Sequence, residues 1–529
     1  MVGASVVSPN ERAARDFVGA WERGELRAMH DLLSDPAKAR FPLARFRRTY
    51  RRAANAATLT AVDPGDPEEV TGDSVTIPVV LGTRVFGSLR GAIEVPVSEG
   101  EVDWAPHVVF PKLERGERLT RTSVPPERAT LRSRDGKVLA EGPAQSRTSP
   151  LVGIADSIAG RMEPHDSPEE RASLYARGFP PDWPVGQTGL EEVFEERLRG
   201  RPGGELLAGG RVLARAQPRP AAPLRTTIDT RLQEAAIVGL AGRLGGVAAL
   251  DPRNGEVRAL AGIAFSAPQP PGSTFKIVTT AAALERGLVD PDTEFPVETR
   301  AVIDGVELEN ANGEACGGSF RNSFAHSCNS VFAPLGLEIQ ADALVDAAER
   351  FGWNAPATIP GEVPSTLPVA ADIETPLELA STAIGQFETL ATPLQMASVG
   401  QTIATRGVRY QPTLRIASRP RGTRVTSREV ARTIGSLMVD VVEYGTGTAA
   451  AIPGVRVAGK TGTAELEDTR DPETGETLPP DPTNTDAWFT AYAPAGRPRI
   501  AVAVMLVRAG AGGATAAPAA RVVLDAALP

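Results

Sequence analysis

Over residues 9–33 apolar side chains recur at helical spacing, with Phe17, Val18, Trp21, Leu26, Met29, Leu32 and Leu33 ahead of the breakers Pro36 and Pro42. This pattern predicts an amphipathic helical opening. From about residue 57 to residue 110 it gives way to short β-rich runs, Val75 to Leu81, Val85 to Leu89 and Ala92 to Val97, parted by Gly and Asp turns. A helix packed on a curved antiparallel sheet accounts for both patterns. Residues 1–115 are therefore expected to form one α+β domain, closed by Trp104, Phe110 and Pro111, with a structural or partner-binding role.

Regular patterning then lapses. Residues 116–225 are dense in proline, with Pro125, Pro126, Pro180, Pro181, Pro184, Pro202, Pro218, Pro220 and Pro223 among them, and have glycine turns at 136 and 200–204, which suits an extended pedestal better than a compact core. A helix from about Gly189 to Leu198 is the clearest regular element there. At Thr226 the periodicity returns, and a third domain, residues 226–529, is expected. It opens with a helix over Arg231 to Leu244, followed by a hairpin of Gly246 to Leu250 and Glu256 to Gly262 across Asp251-Pro252-Arg253-Asn254-Gly255. Helical stretches such as Thr274 to Arg286 follow, then late strands at Trp488 to Ala493 and Ile500 to Val507. The fold class read from this is multidomain α+β.

Length and composition narrow the possibilities. With 529 residues, 42% hydrophobic and 23% charged, the chain holds several packed domains and lacks the signature of disorder. A net charge of -9 without a basic run argues against nucleic acid as a partner. Four scattered histidines and two cysteines without metal-ligand spacing give no expectation of a metal or other cofactor. The apolar runs are strand-sized, too short to span a bilayer, and the first residues lack the regions of a signal peptide.

Candidate chemistry emerges from the basic residues. Of 56 lysines and arginines only five are lysines, at positions 38, 112, 137, 276 and 460. Arginine serves solubility and salt bridges, whereas only a lysine amine can be tuned into a neutral general base. Lys276 lies in Gly272-Ser273-Thr274-Phe275-Lys276, after Pro270 and Pro271, at the start of an Ala-rich helix. Ser and Lys three apart project from one face, so the amine can reach the hydroxyl; an N-capping serine beside a solvated lysine is the plain alternative. His326-Ser327-Cys328-Asn329 supplies a second hydroxyl and an amide two residues apart, a weak signal alone, with His326 read as a packing residue. Lys460 lies in Gly459-Lys460-Thr461-Gly462-Thr463, which reads as a strand rather than a phosphate loop, since its flanks favour a strand and not the helix that such a loop opens.

In this order the three motifs resemble those of the penicillin-recognising serine acyltransferases, the penicillin-binding proteins and serine β-lactamases. Thr227-Ile228-Asp229, Ile384-Gly385-Gln386 with Thr392-Pro393-Leu394-Gln395, Gly445-Thr446-Gly447-Thr448-Ala449 and Ala487-Trp488-Phe489 are similar to stretches of the class B, monofunctional transpeptidases. Trp104-Ala105-Pro106 with Phe110-Pro111 resembles the end of the NTF2-like (MecA N-terminal-like) domain of some members, and Gly189-Leu190-Glu191 with Leu198-Arg199-Gly200 resembles their pedestal or dimerisation domain. Nothing in the first 225 residues looks like a glycosyltransferase domain.

The resemblance implies a third domain with an antiparallel sheet packed by helices, and a D,D-transpeptidase acting on peptidoglycan stem peptides that end in D-Ala-D-Ala. Ser273 would be the nucleophile, Lys276 its base, Ser327 a proton relay, and Asn329 a hydrogen-bond partner of Lys276 and of the substrate amide. Lys460, Thr461, Gly462 and Thr463 would bind substrate, with the backbone N–H groups of Ser273 and Thr463 as oxyanion hole. β-Lactam antibiotics would acylate Ser273. The alternatives are a D,D-carboxypeptidase, a serine β-lactamase, or a non-catalytic β-lactam sensor or cell-wall scaffold. The family implies the extracytoplasmic face of the bacterial membrane, a membrane glycosyltransferase or division or elongation proteins as partners, and an N-terminal anchor, so a chain shortened at its start is expected. Cys316 and Cys328 form either a disulfide or two buried thiols. The polar segment Glu465 to Thr485 reads as a solvated hairpin loop, with gating of the site as the other reading.

Overall fold

The computed structural model describes residues 7–416, 421–467 and 481–528. The chain opens with α1 (Pro9–Glu22), whose N-cap Ser8 accepts a hydrogen bond from the Glu11 backbone N–H. The helix expected over residues 9–33 is in fact split. Gly24 adopts a left-handed φ of 72°, and a separate short helix, α2 (Leu26–Asp31), follows it. A further helix, α3 (Leu43–Ala57), escaped the sequence pattern because arginines crowd its outer face, yet it buries Phe46, Tyr50, Ala53 and Ala57. These helices cover a sheet in which β1 (Leu59–Pro64) and β3 (Gly87–Ser98) flank β2 (Ser74–Thr83), all antiparallel. Burial alternates residue by residue along β2, as one covered face requires. The run Ala92 to Val97 and the end of the run Val85 to Leu89 are one strand, β3, while Val85 and Phe86 lie in the turn before it. Trp104 fills the core between helices and sheet, edge-on to Phe41 at 5.0 Å.

The middle of the chain is more regular than its proline content predicted. β4 (Leu119–Val124) pairs antiparallel with β5 (Gly203–Ala208), which pairs antiparallel with β6 (Arg211–Ala216). Strands separated by some 80 residues leave no local signal. Leu206 and Ala208 of β5 pack into the core built by residues 13–113. The expected helix from Gly189 to Leu198 is broken at Phe194 into two turns, α4 (Gly189–Val193) and α5 (Glu195–Leu198). Glu191 of α4 is fully buried between Arg128 at 2.6 Å and Arg147 at 2.7 Å, and Glu195 reaches Arg128 at 2.8 Å. Mutual pairing is what lets these charges leave water.

The remainder is built on one sheet with helices on both faces. The elements of this sheet and the main helices on it are α6 (Thr230–Leu240), β7 (Gly245–Leu250), β8 (Val257–Gly262), α7 (Lys276–Glu285), α8 (Asn329–Ile339), α9 (Pro393–Ala404), α10 (Arg428–Glu443), β9 (Ala458–Glu465), β10 (Thr485–Ala493), β11 (Ile500–Leu506) and α11 (Gly512–Ala527). The helix expected to reach Leu244 ends at Leu240, where Ala241 turns left-handed at φ 49°. The strand order is β8-β7-β11-β10-β9, antiparallel throughout. Alternate residues of these strands enter two different cores. Val502 and Val504 face α6 and α11, whereas Ala501, Ala503 and Met505 face the layer containing Phe275, Met396 and Ile434. With both faces covered, β11 is buried along its whole length, which explains its unbroken apolar run. β9 stands at the sheet edge, where its backbone and side chains reach the candidate site. Among the described residues no helix is long and apolar enough to cross a membrane.

Candidate active site

Three segments converge beside β9. Ser273 lies half-buried in a 3-10 turn, Gly272–Phe275, that leads into α7, and Lys276 opens the helix proper, fully buried. Gly272 holds a left-handed φ of 50°, and a Cβ there would stand 2.6 Å from the Thr463 carbonyl oxygen. Only glycine lets the serine turn press this closely on β9. From the other side the Gly272 N–H donates to the Gly385 carbonyl at 2.9 Å. Gly385 is itself left-handed at φ 79°, with room for no side chain, since a Cβ would lie 2.1 Å from the Gly272 oxygen.

Lys276 Nζ donates to the Ser327 carbonyl at 2.8 Å and to Asn329 Oδ1 at 2.6 Å, and lies 3.3 Å from Ser327 Oγ. Among the described residues no hydrogen bond joins it to the Ser273 hydroxyl, the contact expected from the three-residue spacing. The amine is turned toward the second motif instead. Ser327 makes that possible by adopting φ 62°, an unusual left-handed conformation for a residue with a side chain, which brings its carbonyl and hydroxyl to the same amine. Lys460 Nζ donates to Ser327 Oγ at 2.8 Å and to the Thr461 carbonyl at 3.2 Å. The Ser327 hydroxyl thus stands between two buried amines.

Their burial has an electrostatic price. Desolvation, and secondarily the charge of Lys460, holds Lys276 well below the ordinary lysine range, and desolvation pushes Lys460 down to about 7. Ring faces replace part of the lost solvation: Lys276 lies 5.2 Å from the centre of Phe332, and Lys460 lies 5.6 Å from Phe324.

Asn329, at the start of α8, accepts from Lys276, and its Nδ2 donates to the Glu309 carbonyl at 2.7 Å. One of its two N–H groups is therefore already engaged. Thr461 and Thr446 share a hydroxyl hydrogen bond of 2.6 Å, and Thr463 Oγ1 accepts from the Gly512 N–H at 3.3 Å. Gly462 backs onto the serine turn, where a Cβ would approach the Pro271 carbonyl to 2.8 Å. All eight residues singled out from the sequence thus lie in this one region. His326, beside the second motif, packs toward the Tyr444 ring, 6.2 Å between centroids. Cys316 and Cys328 form a disulfide, Cα atoms 5.5 Å apart, which fastens the second motif to the strand Cys316–Ser319. Of the expected loop from Glu465 to Thr485, residues 468–480 lie outside the described residues.

Sequence reasoning quoted Thr446 within the stretch Gly445 to Ala449 but gave it no role, and it passed over Gly512 and Gly513. The glycine-rich run from Ala509 to Gly513 was the available signal. A Cβ on Gly512 would lie 2.2 Å from the Gly462 oxygen, and one on Gly513 would lie 2.3 Å from the Thr446 oxygen, so the start of α11 is pressed against the third motif.

Comparison with known proteins agrees with this geometry. The penicillin-binding protein transpeptidase domain matches residues 245–525. A peptidoglycan D,D-transpeptidase, PbpA, of Mycolicibacterium smegmatis is 37% identical over 294 residues, which is 50% of this chain and 56% of that protein. The chain thus spans about half the length of these curated relatives. Among solved structures, the D,D-transpeptidase domain from Eggerthella lenta superposes with a TM-score of 0.61 at 29% identity, covering 76% of this chain and 98% of that one. The penicillin G acyl-enzyme of penicillin-binding protein A from M. tuberculosis gives a TM-score of 0.61 at 27% identity, over 76% of this chain and 100% of that one. With the transpeptidase domain matched over more than half the chain, and its three motifs gathered around two buried lysines, the chain belongs to the penicillin-binding protein transpeptidase family.

Proposed function

We propose that this chain is a peptidoglycan D,D-transpeptidase that crosslinks stem peptides through an acyl-enzyme on Ser273. The observation that carries the reading is the buried amine of Lys276, one helical turn from Ser273 and held by two carbonyl-type acceptors. Ser327 O and Asn329 Oδ1 take two of its N–H groups. A neutral amine then keeps a lone pair for the serine proton, and burial together with the Lys460 charge favours that neutral form. Arginine could not substitute, because it does not lose its proton.

The chemistry follows from the positions. Ser273 Oγ forms a bond to the penultimate D-Ala carbonyl carbon as its proton passes to Lys276. The oxyanion is held by the backbone N–H groups of Ser273 and Thr463, which Gly272 brings together; removing such a donor costs about 3 to 4 kcal/mol in acyl-transfer enzymes. Collapse breaks the C–N bond, and the departing terminal D-Ala takes a proton through Ser327, whose hydroxyl lies between the two amines. Lys460, Thr461 and Thr463, along β9, hold the terminal carboxylate, and the free N–H of Asn329 holds the substrate amide. An amine from a neighbouring stem then attacks the ester, forms the new amide and returns a proton to Ser273. A β-lactam enters the same cycle and stays as the acyl-enzyme.

The rest of the molecule is read as support. Residues 1–115 serve as an NTF2-like domain, 116–225 as the pedestal, and 226–529 as the transpeptidase domain, working at the extracytoplasmic face of the membrane beside a glycosyltransferase or the division or elongation proteins. The test is intact mass spectrometry after incubation with benzylpenicillin, in parallel with a donor–acceptor crosslinking assay. A long-lived adduct of the whole drug, lost in Ser273→Ala, together with crosslinked product is expected. Drug consumption without an adduct would point to a β-lactamase, and neither result would leave only a scaffold.

A further inference from the structure

A cleft of about 280 Å³ opens where the middle of the chain meets the C-terminal sheet, apart from the three motifs. Its floor is apolar, made of the buried side chains Ile158, Leu190, Leu260 and Leu414. Two carboxylates line it, Asp156 on the helix Val152–Ile158 and Glu192 on α4, together with the Phe265 ring. A Cβ on Gly361 would lie 3.1 Å from Glu192 Oε2 and 3.7 Å from Phe265 Cε2, so carboxylate, ring edge and bare backbone meet at one point.

Several partly buried acids of this protein are paired with arginine, Asp251 with Arg258 at 2.7 Å, Glu256 with Arg134 at 2.6 Å and Glu285 with Arg350 at 2.6 Å. Others accept hydrogen bonds from backbone N–H groups, as Glu362 does from Thr358 and Ile359. Among the described residues neither Glu192 nor Asp156 has an ion pair or a side-chain hydrogen bond, although Glu192 is half-buried. Burial holds the Glu192 carboxyl above its ordinary range, the cost of an anion left without a counterion. A cation in the cleft removes that cost, and the apolar floor and the aromatic ring suit its hydrocarbon body.

We infer that this cleft is a binding site for a small organic ammonium ion with an apolar body, its charge on Glu192 and its body on the Ile158–Leu260 floor. The inference does not depend on the transpeptidase reading. Such an occupant would touch both the middle segment and the stretch Leu260–Ser266, which leads directly to the turn bearing Ser273.

The test uses 4-phenylbutylamine as the cation and 4-phenyl-1-butanol as its neutral counterpart, titrated calorimetrically into the full chain. The amine is expected to bind, and Glu192→Gln to weaken it by about tenfold while the alcohol is unaffected. Equal amine affinity in the variant, or no binding to the unaltered chain at about 10 mM, overturns the inference. A second arm does not rely on the Glu192 variant folding. Ser266→Cys places a thiol in the cleft, the two native cysteines being joined to each other. The amine should slow labelling of that thiol by neutral methyl methanethiosulfonate; unchanged labelling overturns the site. Benzylpenicillin acylation, followed separately, shows that failure here and failure of the catalytic reading are distinct results.

Discussion

At the scale of single residues, the two lysines decide how the site responds to pH. Lys460, pushed down to about 7 by burial, is a cation below that pH and loses its charge above it. A carboxylate-bearing ligand needs the cation, so the second-order rate constant for benzylpenicillin acylation should fall as pH rises through the region near 7, giving an alkaline limb that reports the free enzyme. Lys460→Arg keeps its charge across this range and should abolish the limb, whatever it does to the plateau. Stopped-flow acylation from about pH 5 to 9 checks both. Lys276 is the base in the proposed mechanism, and its requirement runs the other way: it must be neutral, and its pKa is lowered further than a solvated lysine's by burial and by Lys460.

Among the elements, the site depends on how closely backbones approach. The turn before Ser273 is held between β9 and Gly385, and the segment from Gly385 to Ala391 also bridges back to Gln269. Gly385→Ala places a methyl 2.1 Å from the Gly272 oxygen and demands φ 79° of alanine, so the turn must move. A displacement of an ångström at a nucleophile costs about 100-fold in rate, the loss expected in penicillin acylation of this variant. The disulfide acts on the second motif in a similar way, since Cys328 sits between Ser327 and Asn329 and closes a separation of 12 residues. Replacing both cysteines by serine should lower unfolding stability by about 3 kcal/mol, read from denaturant melts, and slow acylation by freeing Ser327 and Asn329.

On the scale of the whole molecule, the middle segment is held by charges buried out of water. Glu191 stands between Arg128 and Arg147 with no exposed surface, and Arg128 Nη1 already lacks a partner. Glu191→Ala leaves the buried Arg147 without a counterion and Arg128 with Glu195 alone, and should destabilise the fold by about 3 to 5 kcal/mol in denaturant melts. Molecules that remain folded should still be acylated by benzylpenicillin at the parent rate, because these residues touch none of the three motifs.

The sequence by itself determined which residues the proposed chemistry draws on and the strands buried on both faces. Ser273, Lys276, Ser327, Asn329 and Lys460 to Thr463 were legible because the roles proposed for them need particular residue types at short spacings, and lysine is scarce in this chain. The hairpin across Asp251 to Gly255 and the run from Ile500 were legible because turn chemistry and apolar continuity are local properties. Elements set by distant contacts were not. The pairing of β4 with β5 joins residues some 80 apart in sequence, and α3 hides its apolar face among arginines. Only the tertiary structure decided that Lys276 turns to Ser327 and Asn329, that Ser327 adopts a left-handed backbone to meet it, and that Gly385, Thr446 and Gly512 close around the motifs. Burial does the rest: it sets the protonation of both lysines and leaves Glu192 unpaired, and burial exists only once the chain has folded.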